Sequence, residues 1–222
     1  MKSKIVNRAF ILCAIVFAAF YVINLCSVGY ATVLLRGEGV SPEASGMIVA
    51  LACTVTAVLQ LIFGRISDRY AKLDFKNMSV GLSAILLILM IGLYFTNNTV
   101  FVVVFFFVVI VANCITPFIN ESSFYYKRRG INVNFGVIRG VGSLSFAAVS
   151  YLFQFVEAKE NTDWVVFTGV LATVVFIAAV LLLPRTEEIP DAAPQEELSP
   201  ESDTKYSLKN FVKTYKVFML FW

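Results

Sequence analysis

The chain has 222 residues, of which 59% are hydrophobic and only 15% charged, whereas a soluble domain of this size carries about a quarter charged residues. This composition excludes a water-soluble globular protein, and the net charge of +3 gives no reason to invoke nucleic acid. The absence of histidine excludes a His-based triad, a His zinc site and a His proton relay.

The apolar residues fall into blocks of about 18–26, long enough to cross a ~30 Å hydrocarbon core as helices at 1.5 Å per residue. Barrel strands would instead alternate over about ten residues. The first predicted span, Phe10 to Leu35, is too long for a signal-peptide core and lacks a small-x-small cleavage pattern, so it is expected to stay in the mature protein. It carries Tyr21 and Asn24. The second, Met47 to Phe63, carries Gln60 and leads into a charged turn, Gly64-Arg65-Ile66-Ser67-Asp68-Arg69-Tyr70. The third runs from Met78 to Phe95. The fourth, Val100 to Phe124, contains Asn113, Thr116, Asn120 and Glu121, with Pro117 expected to disrupt the helix by removing a backbone donor. The fifth, Gly136 to Val156, carries Arg139 close to its start, and the sixth is Trp164 to Leu183.

Residues 1–184 thus read as a six-helix membrane bundle. Residues 185–216 read as a linker whose acidic, proline-containing first portion lacks the apolar surface to fold. Its second portion places Lys205, Lys209, Lys213 and Lys216 at helical spacing, which suits an amphipathic helix on an anionic leaflet or a basic flank before another span. Residues 217–222 read as the start of a truncated seventh helix.

Fifteen of the 18 basic residues fall on the side of the N-terminus and linker, against Arg36 and Lys159 opposite and Arg139 within a span. This positive-inside bias places both ends in the cytoplasm of a cell membrane, with a bacterial inner membrane expected. The four cysteines all lie within predicted spans without metal spacing and read as small packing residues. Neither a phosphate loop nor a nucleophile elbow is present, so the expectation is a protein that is not an enzyme and that uses no metal or cofactor.

Six spans, a charged turn after the second and a long linker toward a seventh resemble the N-terminal half of a major facilitator superfamily transporter. In that family the turn is commonly written G-x-L-a-D-R-x-G-R-K. Gly64, Asp68 and Arg69 match it and Lys72 sits at a basic position, whereas Ala71 replaces the second glycine and Leu73 the last basic residue. The resemblance implies a conformational gate at Gly64, Asp68, Arg69 and Lys72. The segment from Gly136 to Phe146 is similar to the start of helix 5 in the sugar and nucleoside proton symporters related to lactose permease. There an arginine followed three residues later by glycine enters the helix, an acidic residue lies on helix 4, and a ring stacks on the sugar. Arg139, Gly142, Glu121 and Phe146 occupy these places.

Counting along the chain puts Glu121 and Arg139 each nine residues from Gly130, hence at similar depth on antiparallel neighbours, where they can meet. A charge at a helix centre costs about 2.5–3.5 kcal/mol on insertion scales, which favours partners or a cavity over lipid. The candidate substrate-binding residues are Glu121, Arg139, Phe146, Asn24 and Asn120. Tyr21, Gln60, Asn113 and Thr116 either line the same cavity or form interhelical hydrogen bonds. The resemblance implies proton-coupled symport of a sugar- or nucleoside-like solute by alternating access. It also implies a second wall, from a missing C-terminal half or a homodimeric partner. The competing reading is a six-helix membrane assembly or regulatory protein without transport activity.

Overall fold

The computed structural model describes residues 2–69, 75–127, 134–155 and 162–184. Among them the regular structure is helical: α1 (Lys2–Asn24), a π-helical turn (Leu25–Gly29), α2 (Ala31–Gly37), α3 (Pro42–Arg69), α4 (Phe75–Leu93), α5 (Asn98–Cys114), α6 (Thr116–Lys127), α7 (Phe135–Phe155) and α8 (Asp163–Leu182). Six stretches are long and apolar enough to cross a membrane, Asn7–Gly29, Pro42–Ile66, Phe75–Leu93, Asn98–Ser122, Phe135–Phe155 and Asp163–Leu182. The all-helical membrane bundle expected from the sequence is therefore the observed architecture. The linker and the seventh apolar run lie outside the described residues.

Three spans have features that bear on the site, of which the break in the fourth is the disruption expected near Pro117. The first is interrupted by the π turn, closed by a hydrogen bond from the Tyr30 N–H to the Leu25 carbonyl at 2.9 Å. The fourth is broken at Ile115 between α5 and α6. The second is longer than expected, because Ser41 opens α3 by accepting from the Ala44 N–H at 3.2 Å and Pro42 takes the first helical position. From there α3 continues to Arg69, so Gly64, Asp68 and Arg69 are helical and do not form a turn. A single interior glycine costs about 1 kcal/mol, too little to stop a long apolar helix.

The packing order sets the interior. α1 lies against α7 and α8 and touches α6; α4 packs between α8 and α5; α3 packs on α5. Spans α3 and α7 are the least buried. The core joins Phe17 and Ile23 of α1 to Leu86 and Met90 of α4, Phe105 of α5 and Phe176 of α8. Buried hydroxyls satisfy themselves within their own helices: Ser27 donates to Ile23, Ser83 to Ser79 and Thr173 to Gly169, each across one turn. Cys13, Cys26 and Cys114 are buried, whereas Cys53 is exposed.

Both ends of the bundle are tied by polar side chains to helix termini, where backbone groups lack intrahelical partners. The Glu38 carboxylate accepts from the Asn98 N–H at the start of α5, at 2.5 Å. At the opposite end Lys76 Nζ donates to the carbonyls of Leu181 and Leu183, both at 2.8 Å, and Arg8 Nη2 donates to that of Leu182 at 3.2 Å. The buried Tyr126 hydroxyl donates to the Pro184 carbonyl at 2.9 Å. Cations at a helix C-terminus also meet the negative end of its dipole, typically worth about 0.3–1 kcal/mol. Lys76→Met is expected to lower stability by about 1 kcal/mol, read as an earlier thermal unfolding transition in detergent; an unchanged transition would show that water replaces the ammonium at no cost.

Candidate functional site

A cavity of about 470 Å³ opens between α1, the α5–α6 break and α7, within the ~300–1,000 Å³ typical of small-molecule sites. Each wall is one stripe of a helix. From α1 come Phe17, Phe20, Tyr21 and Asn24; from α5 and α6 come Asn113, Thr116 and Asn120; from α7 come Arg139, Ser143 and Phe146. The spacings are those of residues stacked on one helical face.

The break in the fourth span supplies the polar wall. Pro117 is the second residue of α6, where its missing N–H costs that helix nothing. The carbonyl it fails to reach, four residues back, is that of Asn113. That carbonyl takes a hydrogen bond from Gln60 Nε2 of α3 at 2.9 Å and also receives the Ile115 N–H. The Asn113 side chain donates to the Val109 carbonyl at 2.8 Å. One turn along α3, the buried Thr56 hydroxyl lies 3.5 Å from the Ile110 carbonyl, so Thr56 and Gln60 form a polar seam against α5.

The α1–α7 wall depends on glycine. A Cβ on Gly142 would lie 2.7 Å from Cδ2 of Tyr21, and one on Gly29 would lie 3.5 Å from Cζ of Phe146. Two of the aromatic rings that line the cavity, Tyr21 and Phe146, thus lie close to the backbone of the facing element. The Arg139 guanidinium lies 6.0 Å from the centroid of the Phe135 ring, within cation–π range, and Phe135 meets Phe17 edge to face at 6.0 Å.

Of the five residues singled out from sequence, Asn24, Asn120, Arg139 and Phe146 line the cavity. Glu121 is half-buried, is not among the lining side chains, and is engaged with a partner. Depth along a helix does not fix azimuth: one residue turns the side chain by about 100°, and it is Asn120 and not Glu121 that lines the cavity shared with α7. Tyr21, Asn113 and Thr116 also line the cavity, whereas Gln60 is used in the α3–α5 seam. Phe17, Phe20 and Ser143 are additions. Ser143 is signalled by its place one turn beyond Arg139. At the proposed gate, Gly64 is exposed, and among the described residues nothing lies within 4 Å of a Cβ built there. The side chains of Asp68 and Arg69, and all of Lys72, lie outside the described residues.

An apolar helical bundle that turns amides, hydroxyls and one arginine toward a common cavity is a multi-pass membrane protein with an internal polar site, the general form of a membrane transporter. The chain matches the model of the MFS_1 like family over residues 10–222 and belongs to that family, which makes it a major facilitator superfamily-like protein. No curated protein and no solved structure matches it.

Proposed function

We propose that the protein carries out secondary active transport of a small polar solute, sugar- or nucleoside-like in size, by alternating access and coupled to protons. The observation that carries this reading is the position of Arg139 on the wall of a polar cavity inside a membrane bundle. A charge there is costly unless it faces water, a solute or a partner. A purely structural six-helix assembly gives no reason to surround it with Asn24, Asn113, Asn120 and Ser143.

The chain supplies one wall. A second six-helix bundle, from a C-terminal half or from another copy, closes the cavity, and the sparse burial of α3 and α7 supports such a partner. The positive-inside bias supports a cell membrane with the N-terminus in the cytoplasm. Coupling requires that solute and proton bind the two conformations with different affinity. In this reading the protein performs no covalent chemistry and needs no metal or cofactor.

The test is uptake of sugars and nucleosides into vesicles carrying the protein under an imposed proton gradient. Saturable uptake that falls by about tenfold or more in Arg139→Ala at equal membrane levels is expected, the loss of one charge-assisted contact. Uptake unchanged by this substitution would remove the cavity as the transport site. Uptake of no solute would favour the assembly or regulatory reading.

A further inference from the structure

We infer that the cavity selects a ring-bearing carboxylate over its neutral and cationic counterparts, with the carboxylate held by Arg139; this rests on the reading of the cavity as a solute site. The argument begins with charge. Among the described residues that line the cavity, Arg139 is the one full charge, and the remaining polar groups are amides and hydroxyls. Amides and hydroxyls both donate and accept, so they do not discriminate by charge. A guanidinium only donates, through five N–H groups in a fixed planar fork.

Arg139 is exposed to the cavity, and its contact on the protein side is the face of Phe135. A ring face attracts the cation but accepts none of its N–H groups in the manner of a carboxylate. Glu121, the nearest acidic residue along α6, is not on the cavity wall and has a partner of its own. The fork is therefore presented to the solute. A carboxylate answers it with two parallel hydrogen bonds, roughly twice as strong as neutral ones. Hydrogen bonds to charged groups exceed neutral ones by about one factor of ten in affinity. A cationic solute at ~6 Å in an effective dielectric of ~20 is disfavoured by roughly a hundredfold.

The body of the solute follows from the other walls. Phe17, Phe20, Tyr21 and Phe146 bring four rings to one cavity. The Tyr21 ring is seated close against Gly142 and the Phe146 ring lies beside Gly29, and both present surfaces for a planar or cyclic body. Asn24 and Asn120 supply hydrogen bonds to substituents on that body.

The test is calorimetric titration of the purified protein in detergent with two matched series: glucuronate, glucuronamide and 6-amino-6-deoxyglucose; and benzoate, benzamide and benzylamine. In whichever series binds, the acid is expected to bind about tenfold more tightly than the amide, and the amine roughly a hundredfold more weakly than the amide. Arg139→Gln is expected to bring the acid-to-amide ratio to about one, with its thermal unfolding transition in detergent reporting that the variant is folded. Arg139→Lys keeps the charge without the planar fork and should retain a reduced preference for the acid. An amide or amine that binds the wild-type protein as tightly as the acid, or an acid preference that survives in Arg139→Gln, overturns the inference and leaves the solute site standing. Binding by no member of either series overturns the solute-site reading for ring compounds, and the inference with it.

Discussion

Replacing Gly142 by leucine is expected to separate α1 from α7, abolish the cavity and leave little monodisperse protein on size exclusion. Even alanine places its Cβ 2.7 Å from Tyr21 Cδ2 and 3.1 Å from Cε2 and Cγ, distances that require the ring or the helix to move. The Tyr21 ring is not a flexible end. It packs edge to face on Phe20 at 6.1 Å, and Phe20 in turn lies 6.5 Å from the buried Phe176 of α8, so retreat on that side is blocked. Overpacking of this kind costs about 1–3 kcal/mol for a methyl group and more for a branched chain. In a bilayer the effect is harder to absorb, because helices associate largely through close packing of small residues. Gly140 provides the comparison: nothing lies within 4 Å of a Cβ built there, so Gly140→Ala should be neutral or stabilising by about 0.5–1 kcal/mol. Thermal unfolding of the two alanine variants checks the argument, and equal behaviour would refute the close approach at Gly142.

The contrast between these glycines shows what the sequence carries and what it does not. Both lie in one helix two residues apart, and although the helix 5 resemblance singles out Gly142, nothing in the hydrophobic pattern separates the two. The spans themselves are legible, because a hydrocarbon core demands long apolar blocks whatever their neighbours are. The faces of the spans are not legible from hydrophobicity, because lipid tails are as apolar as the bundle interior and burial leaves no periodic mark. Phe17 and Phe20 line the cavity while Phe155 and Phe167 face outward, and all four look alike in sequence. Polar residues are the better guide. Asn113, Thr116 and Asn120 recur at helical spacing, as do Tyr21 and Asn24, and these stripes mark the inner wall in the sequence itself. The guide fails at Gln60, whose amide serves another helix. It fails again at Glu121, where a count of depth gives no azimuth. The π turn at Leu25–Gly29 carries no forbidden residue and no motif, so it emerges only in the folded chain, directly after Asn24, as such turns often do beside functional sites.

Pro117→Ala is expected to fuse α5 and α6, raise stability and reduce transport. Alanine restores the N–H that the Asn113 carbonyl lacks from the residue four positions on, and removes a residue that an uninterrupted helix tolerates at a cost of about 3 kcal/mol. In the wild-type chain the Gln60 amide, 2.9 Å from that carbonyl, makes up part of the loss. Gln60→Leu should therefore cost about 1–3 kcal/mol, the penalty for leaving a half-buried acceptor underused. In the Pro117→Ala background the carbonyl has its helical partner again, and Gln60→Leu should become nearly neutral. The double-mutant cycle then yields a coupling close to the full wild-type cost of Gln60→Leu, about 1–3 kcal/mol. Additive effects would mean that Gln60 stabilises α3 against α5 without answering the proline. Transport separates the other two possibilities: a break retained for motion of the Thr116 and Asn120 wall predicts a more stable but slower Pro117→Ala protein, whereas a break that merely positions these side chains predicts weaker solute binding at any rate of turnover.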